Sequence, residues 1–279
     1  MHARSALFDL YGDHLRARGG RAPVAALVRI LAPLGIAAPA VRTAISRMVR
    51  QGWLEPVRLD GGPGYRLTGR ARKRLDDAAA RIYRTRSSTW EGSWDLLVVG
   101  PVAHRSARER LRSGLGFLGY APLADSTWIS PFASPEVEPL VAAEGATLAR
   151  FAARDDDPRG QAARAWNLDA LGAAYTTWLE DAAALVAHPP ARGGSDEAAF
   201  AVRSVLVHEW RKFLFTDPGL PAELLPADWP GQAAAEFFAA EAARLLPAAS
   251  RFVDACLGPT APATPGTEPD HVEQREVSR

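Results

Sequence analysis

The chain has 279 residues, 47% of them hydrophobic and 23% charged, a balance that excludes disorder along the whole length and suits two or three globular domains. No stretch nears the roughly 20 apolar residues of a membrane span, and Asp9 and Asp13 stand where a secretion signal needs an apolar run, so the expected location is cytoplasmic, with no membrane partner. The net charge of +1 conceals an asymmetry, because residues 1–86 carry 17 Lys and Arg against 6 Asp and Glu, net +11, and the remainder carries 16 against 26, net −10.

An N-terminal third this basic points to a polyanion, most often nucleic acid. Only Lys73 and Lys212 are lysines. The many arginines and alanines together read as a GC-rich coding bias, so arginine over lysine carries no chemical message. Cys256 is the single cysteine, which excludes an internal disulfide and a cysteine-based zinc site.

Residues 4–18 read as a first helix, with Leu7, Phe8, Leu10, Tyr11 and Leu15 at helical spacing and Gly19-Gly20 as its stop. Residues 23–33 read as a second, opened by Pro23. After the turn Leu34-Gly35-Ile36, a third runs from about Pro39 to Gln51 and stops at Gly52. Two short extended runs follow, Trp53 to Leu59 and Tyr65 to Thr68, around the turn-forming Asp60-Gly61-Gly62-Pro63-Gly64. They predict a β-hairpin. A basic helix over about Gly69–Arg84 and a polar linker over Thr85–Thr89 close this block.

The next block reads strand (Trp94–Val99), helix (Ser106–Leu118), two strands (Tyr120–Leu123, Thr127–Ser130), helix (Pro135–Glu144) and strand (Thr147–Ala152). That βαββαβ order predicts a ferredoxin-like sandwich. The rest reads as helices: Ala162–Ala187, Glu197–Phe213 and, beyond a Pro-rich loop over 217–231, one or two helices around Pro247 in Gln232–Leu257. The tail from Gly258 is rich in Pro, Thr and Glu and is expected to be disordered.

Three helices followed by a hairpin is the order of a winged helix-turn-helix, whose third helix lies in the DNA major groove. The side chains fit. At about 100° per residue, Val41, Ala44, Ile45, Met48 and Val49 fall on one side, to pack inward. Arg42, Thr43, Ser46, Arg47 and Arg50 fall on the other. Arginine grips the O6 and N7 of guanine with two hydrogen bonds, and Ser or Thr reaches bases or phosphates. Arg58 and Arg66 flank the hairpin tip, where a wing meets the backbone or the minor groove. The competing account of this helix is a solvated polar face. Ala37-Ala38 before Pro39 provides no capping side chain.

Several motifs together resemble the PaaX family of bacterial transcriptional regulators. They are Leu10-Tyr11-Gly12-Asp13, Val41-Arg42-Thr43-Ala44-Ile45-Ser46-Arg47-Met48 with Gly52-Trp53-Leu54, and Thr127-Trp128-Ile129-Ser130-Pro131. Further on come Val207-His208-Glu209-Trp210-Arg211-Lys212-Phe213, Leu224-Leu225-Pro226 and Asp228-Trp229-Pro230-Gly231. The resemblance runs to about residue 257. The chain departs from the family pattern around Arg21–Ala26 and Ala37-Ala38, which leaves open which operator is read.

The resemblance implies an α+β repressor in three parts: a winged-helix DNA-binding domain over 1–86, a ferredoxin-like central domain over 90–158 similar to the CRISPR spacer-acquisition nucleases, and a helical C-terminal effector and dimerisation domain over 162–257. The tail is 258–279. It implies a homodimer on double-stranded operator DNA of a catabolic operon, released by an aryl-acyl-CoA such as phenylacetyl-CoA or another acyl-CoA. A CoA thioester calls for cations at its phosphates and an apolar or aromatic pocket for its tail. Trp128, Trp210, Arg211, Lys212 and Trp229 supply such groups within the motifs. The competing account makes the tryptophans core residues and the cations ion-paired.

No catalytic or metal site and no cofactor is expected. A nuclease of the central fold needs a carboxylate at the end of its first strand to hold a metal, and that strand ends Val98-Val99-Gly100-Pro101, with Asp95 near its start. His208-Glu209 begins a helical metal motif, but Lys212 stands where the second histidine belongs. Two other readings remain: a winged-helix adaptor for protein partners, and an RNA-binding or nuclease module.

Overall fold

The structure, a computed structural model, describes residues 1–82, 90–187 and 194–258. The expected linker over 85–89 and the tail beyond Gly258 lie outside the described residues. Among those residues no helix is long and apolar enough to cross a membrane.

The first helix, α1 (Ala3–Leu10), does not run on regularly to residue 18 as its apolar spacing predicts. It widens into a π-turn over Tyr11–Leu15 and tightens into a 3-10 turn over Arg16–Arg18, and Gly19 ends it at φ 82°. Single π-turns inside helices recur at functional sites, and Asp9, Asp13 and His14 all turn inward here. Residues 21–23 correct the sequence reading. Arg21–Pro23 form a strand, β1, and α2 spans Val24–Leu31 behind it. Next comes α3 (Ala38–Arg50), uncapped by any side chain and ended by Gly52 at φ 70°.

The hairpin is β2 (Leu54–Leu59) with β3 (Gly62–Leu67). Leu59 pairs with Gly62, so the turn is only Asp60-Gly61, and Gly62 to Gly64 belong to the strand. The sheet order is β1-β3-β2. Gly64 explains why the Gly-rich run is not all turn: a Cβ there would lie 2.6 Å from the Ala22 carbonyl oxygen. Only glycine lets β1 close against β3. Helix α4 (Gly69–Ile82) follows, with the Thr68 hydroxyl accepting from Ala71 N at 3.2 Å.

The central part has the expected order: β4 (Trp94–Val99), α5 (Arg105–Phe117), β5 (Ala121–Ala124), β6 (Thr127–Ser130), α6 (Val137–Ala143) and β7 (Leu148–Ala153). Its antiparallel sheet runs β5-β6-β4-β7, the ferredoxin-like arrangement. Alternation along the strands gives it two apolar faces. Leu97, Val99 and Trp128 pack on Leu111, Leu115, Val137 and Val141 of α5 and α6. Trp94 and Ile129 face Ala162, Leu168, Leu220 and Leu224.

The C-terminal part is helical, though residues 162–187 are not one helix. They divide between α7 (Pro158–Ala165) and α8 (Leu168–Ala187), because the Asn167 side chain accepts from Ala170 N at 3.0 Å and starts a new helix. Helix α9 (Asp196–Trp210) is capped by Ser195, and a short α10 (Phe213–Thr216) follows, so the run expected to reach Phe213 without a break ends at Trp210. Helix α11 (Gly231–Leu257) is continuous through Pro247. Tyr175, Trp178, Trp210 and Phe238 form the centre of this part.

One core crosses the expected boundary. Leu7, Leu10, Tyr11, Leu27, Ile30, Leu31, Ile45 and Met48 of the winged part pack with Phe200 of α9 and with Ala249 and Val253 of α11.

Candidate nucleic-acid interface

Helix α3 separates its residues as the periodicity predicts. Val41, Ala44, Ile45 and Met48 are buried, and Val49 is half-buried. Arg42, Thr43, Ser46, Arg47 and Arg50 are all exposed. Arg42, Arg47 and Arg50 make no ion pair among the described residues. The Ser46 hydroxyl donates to the Arg42 carbonyl at 3.1 Å, so it is turned along its own helix. Arg58 is exposed on β2 opposite Pro63, near the turn. Arg66 differs: its guanidinium donates to Glu55 at 2.7 Å across the strand pair. The surface is thus an arginine-rich helix face beside a short wing whose Arg58 makes no ion pair among the described residues.

The five residues considered for an effector are not all brought to one site: Trp210 and Trp229 share a neighbour, and Trp128 lies apart. Trp128 lies in the central core. Trp210 and Trp229 flank Tyr175 from two directions, each with its ring centre 5.9 Å away. Packing there is close: a Cβ on Gly231 would meet the Trp229 indole nitrogen at 2.4 Å. Arg211 pairs with Asp9, and Lys212 pairs with Glu209 at 2.5 Å.

Long-range pairing supplies what the sequence did not reveal. Two stretches far apart in the sequence meet in space. Asp9 and Asp13 of the first turns face α9, where Arg203 donates two hydrogen bonds to Asp13, at 2.8 and 2.7 Å. Arg203 is only 3% exposed and also donates to the Ala242 carbonyl of α11. His208 Nδ1 lies 2.7 Å from Asp9. His208 is therefore tied to a carboxylate of α1. His14, 1% exposed, lies tilted against Phe200 with ring centres 5.6 Å apart, and burial lowers its imidazole to a pKa of about 4 against the pull of Asp13. On the far side Arg18 holds Asp254 at 2.7 Å, keeping that carboxyl below its usual range, and Arg29 donates to the Cys256 carbonyl at 2.6 Å. Burial raises the Cys256 thiol.

Asp95 of the central sheet accepts from the Tyr120 hydroxyl and lies 3.2 Å from Arg150. It is a bound partner in packing. Among the described residues no three His, Cys, Asp or Glu side chains gather as a metal site.

Three family models match successive stretches of the chain. They are described as PaaX-like protein over residues 2–71, PaaX protein central Cas2-like domain over 87–165, and PaaX-like protein C-terminal domain over 166–255. The transcriptional repressor PaaX of Escherichia coli (strain K12) is 30% identical over 262 residues, covering 89% of this chain and 82% of its own length. The solved structure of the uncharacterized protein Rv0674 from Mycobacterium tuberculosis is 29% identical, with a TM-score of 0.59. The match covers 91% of this chain and 98% of that one.

Proposed function

The chain belongs to the PaaX family, and from that premise we propose that it is a DNA-binding transcriptional repressor of a catabolic operon, acting as a homodimer and released by an aryl-acyl-CoA such as phenylacetyl-CoA. The observation that carries the DNA reading is the outward face of α3, with Arg42, Thr43, Ser46, Arg47 and Arg50 exposed beside the wing. Its arginines present N–H edges to guanine O6 and N7 or to phosphates. Arg58 adds a backbone contact from the wing. Arg66, already engaged by Glu55, is the weaker contributor. In this reading the protein is a regulator and has no catalytic residue.

Two copies would place two α3 helices about one helical turn apart on a near-palindromic operator. A ligand that binds the DNA-incompetent arrangement more tightly lowers operator occupancy by mass action. Among the effector candidates Arg211 has the most direct route to the winged part, because it pairs with Asp9 of α1. A phosphate drawn to Arg211 competes with that carboxylate and loosens α9 from α1. The boundaries 1–86, 90–158 and 162–257 remain our assignment of the working parts.

Fluorescence anisotropy with a duplex from the region upstream of the protein's own gene tests this reading. Wild-type protein is expected to bind tightly and to lose affinity steeply with salt, and phenylacetyl-CoA is expected to reverse binding. Arg47→Ala should cost about 1–3 kcal/mol on the operator and little on scrambled DNA. Arg58→Ala should weaken both alike and lower the salt slope by about one. An Arg42→Ala/Arg47→Ala variant that binds as wild type does would instead favour the protein-adaptor reading.

A further inference from the structure

Beyond the face that reads bases, the C-terminal end of α3 carries an ordered pair of arginines. Trp53 follows α3 by three residues; its backbone N–H donates to the Met48 carbonyl at 2.9 Å, which ties the chain to the last turn, and its side chain packs against the core of the winged part. Helix α4 begins at the same place, because the Thr68 hydroxyl donates to the Gly52 carbonyl at 2.8 Å. Phe8 of α1 meets Trp53 edge-on, with ring centres 5.1 Å apart and planes at 86°. The Arg70 guanidinium lies over Trp53 at 5.0 Å, and that of Arg4 lies over Phe8 at 5.6 Å. Helices α1 and α4 and the turn after α3 thus bring two guanidinium groups over one aromatic pair.

Both arginines are exposed, and neither has a carboxylate partner among the described residues. Their neighbours on α4 are occupied otherwise. Arg72 donates to the Gly19 carbonyl at 3.3 Å, and Arg74 lies 4.5 Å over Phe117 of the central part. A guanidinium stacked on a ring keeps its N–H edge free and gives up little further motion when that edge is used. Such an edge fits the two oxygens of a phosphate.

We infer that Arg4 and Arg70 are two further contacts to the DNA backbone, held in place by the Phe8–Trp53 pair at the end of α3. The inference rests on the DNA reading above. In it, the bases are read along the face of α3, and the two arginines grip phosphates where that helix ends.

The test is the salt dependence of binding. A 30-base-pair duplex of arbitrary sequence and the upstream duplex are titrated between 50 and 200 mM KCl with wild type, Arg4→Ala, Arg70→Ala, the double variant and Arg70→Lys. Each lost phosphate contact lowers the slope of log affinity against log salt by about 0.9, so affinity falls about three- to four-fold less across that range. The double variant should lose about twice as much slope, equally on both duplexes. Arg70→Lys should keep the slope, because the charge remains. Trp53→Leu should weaken binding and leave the slope nearly unchanged. Tryptophan fluorescence and a thermal melt show that each variant is folded. Wild-type slopes in the folded alanine variants would overturn the inference, as would a loss confined to the upstream duplex. Wild-type protein that binds neither duplex would overturn the DNA reading itself, a different outcome.

Discussion

His14 takes up a proton near pH 6.5 in the unfolded chain and only near pH 4 in the folded one, because burial opposes the charge and Arg203 and Arg18 oppose it further. Across that window the unfolded state binds more protons. Stability is therefore intact above about pH 6.5 and declines as pH falls toward 4, by on the order of 3 kcal/mol in all. Asp254, held low by Arg18, loses its contribution only in more acid solution, below the ordinary carboxylate value. Thermal melts at pH 7, 6 and 5 should show a steady drop for wild type and a clearly shallower one for His14→Gln. Parallel drops would mean that another group governs this range.

At the scale of elements, the joint between α1 and α9 is the critical contact. Arg203 is buried, the Asp13 side chain is largely covered, and two hydrogen bonds join them. Removing one partner leaves the other charged in an apolar setting, which costs about 3–5 kcal/mol. Arg203→Ala should lower the urea midpoint accordingly. The Asp13→Ala/Arg203→Ala double variant should be more stable than the sum of the singles predicts, by about 1–3 kcal/mol. Strict additivity would show that the two side chains do not act as a pair. The sequence could not announce this joint. Its members lie 190 positions apart, and separation of that kind leaves no periodic trace. The faces of α3 were legible because a helix repeats its inward residues every three to four positions. The central sheet was legible because its strands are short apolar runs in a recognisable order. Strand β1 was hidden: three residues ending in proline carry no alternation, and Pro23 reads equally as a helix start. The tryptophans were ambiguous for another reason, since an aromatic core and an aromatic pocket require the same residues.

At the scale of the whole molecule, charge divides the sequence near residue 86 while packing does not. The core of the winged part is completed by Phe200, Ala249 and Val253, contributed by helices that start more than 100 residues later. A cooperative unit follows its core, so the N-terminal and C-terminal parts should melt together. Scanning calorimetry should give one shared transition for them, and a fragment of residues 1–86 should melt well below it. Independent melting of that fragment at the temperature of the full chain would refute the shared core.

Helix α11 belongs to both cores at once. Ala234, Phe238, Ala242 and Leu245 pack in the aromatic centre, and Ala249 and Val253 pack under the winged part. Pro247 stands between the two sets. It has no N–H to give the carbonyl four residues back, so the ladder of backbone bonds is weakest there. Arg203, which also binds Asp13, donates to Ala242 one turn before the proline. The helix is therefore a beam with its fulcrum between two loads, and one buried guanidinium is bolted to both the beam and the first helix. A small bend at the fulcrum would tilt the winged part against the aromatic centre while both cores stay intact.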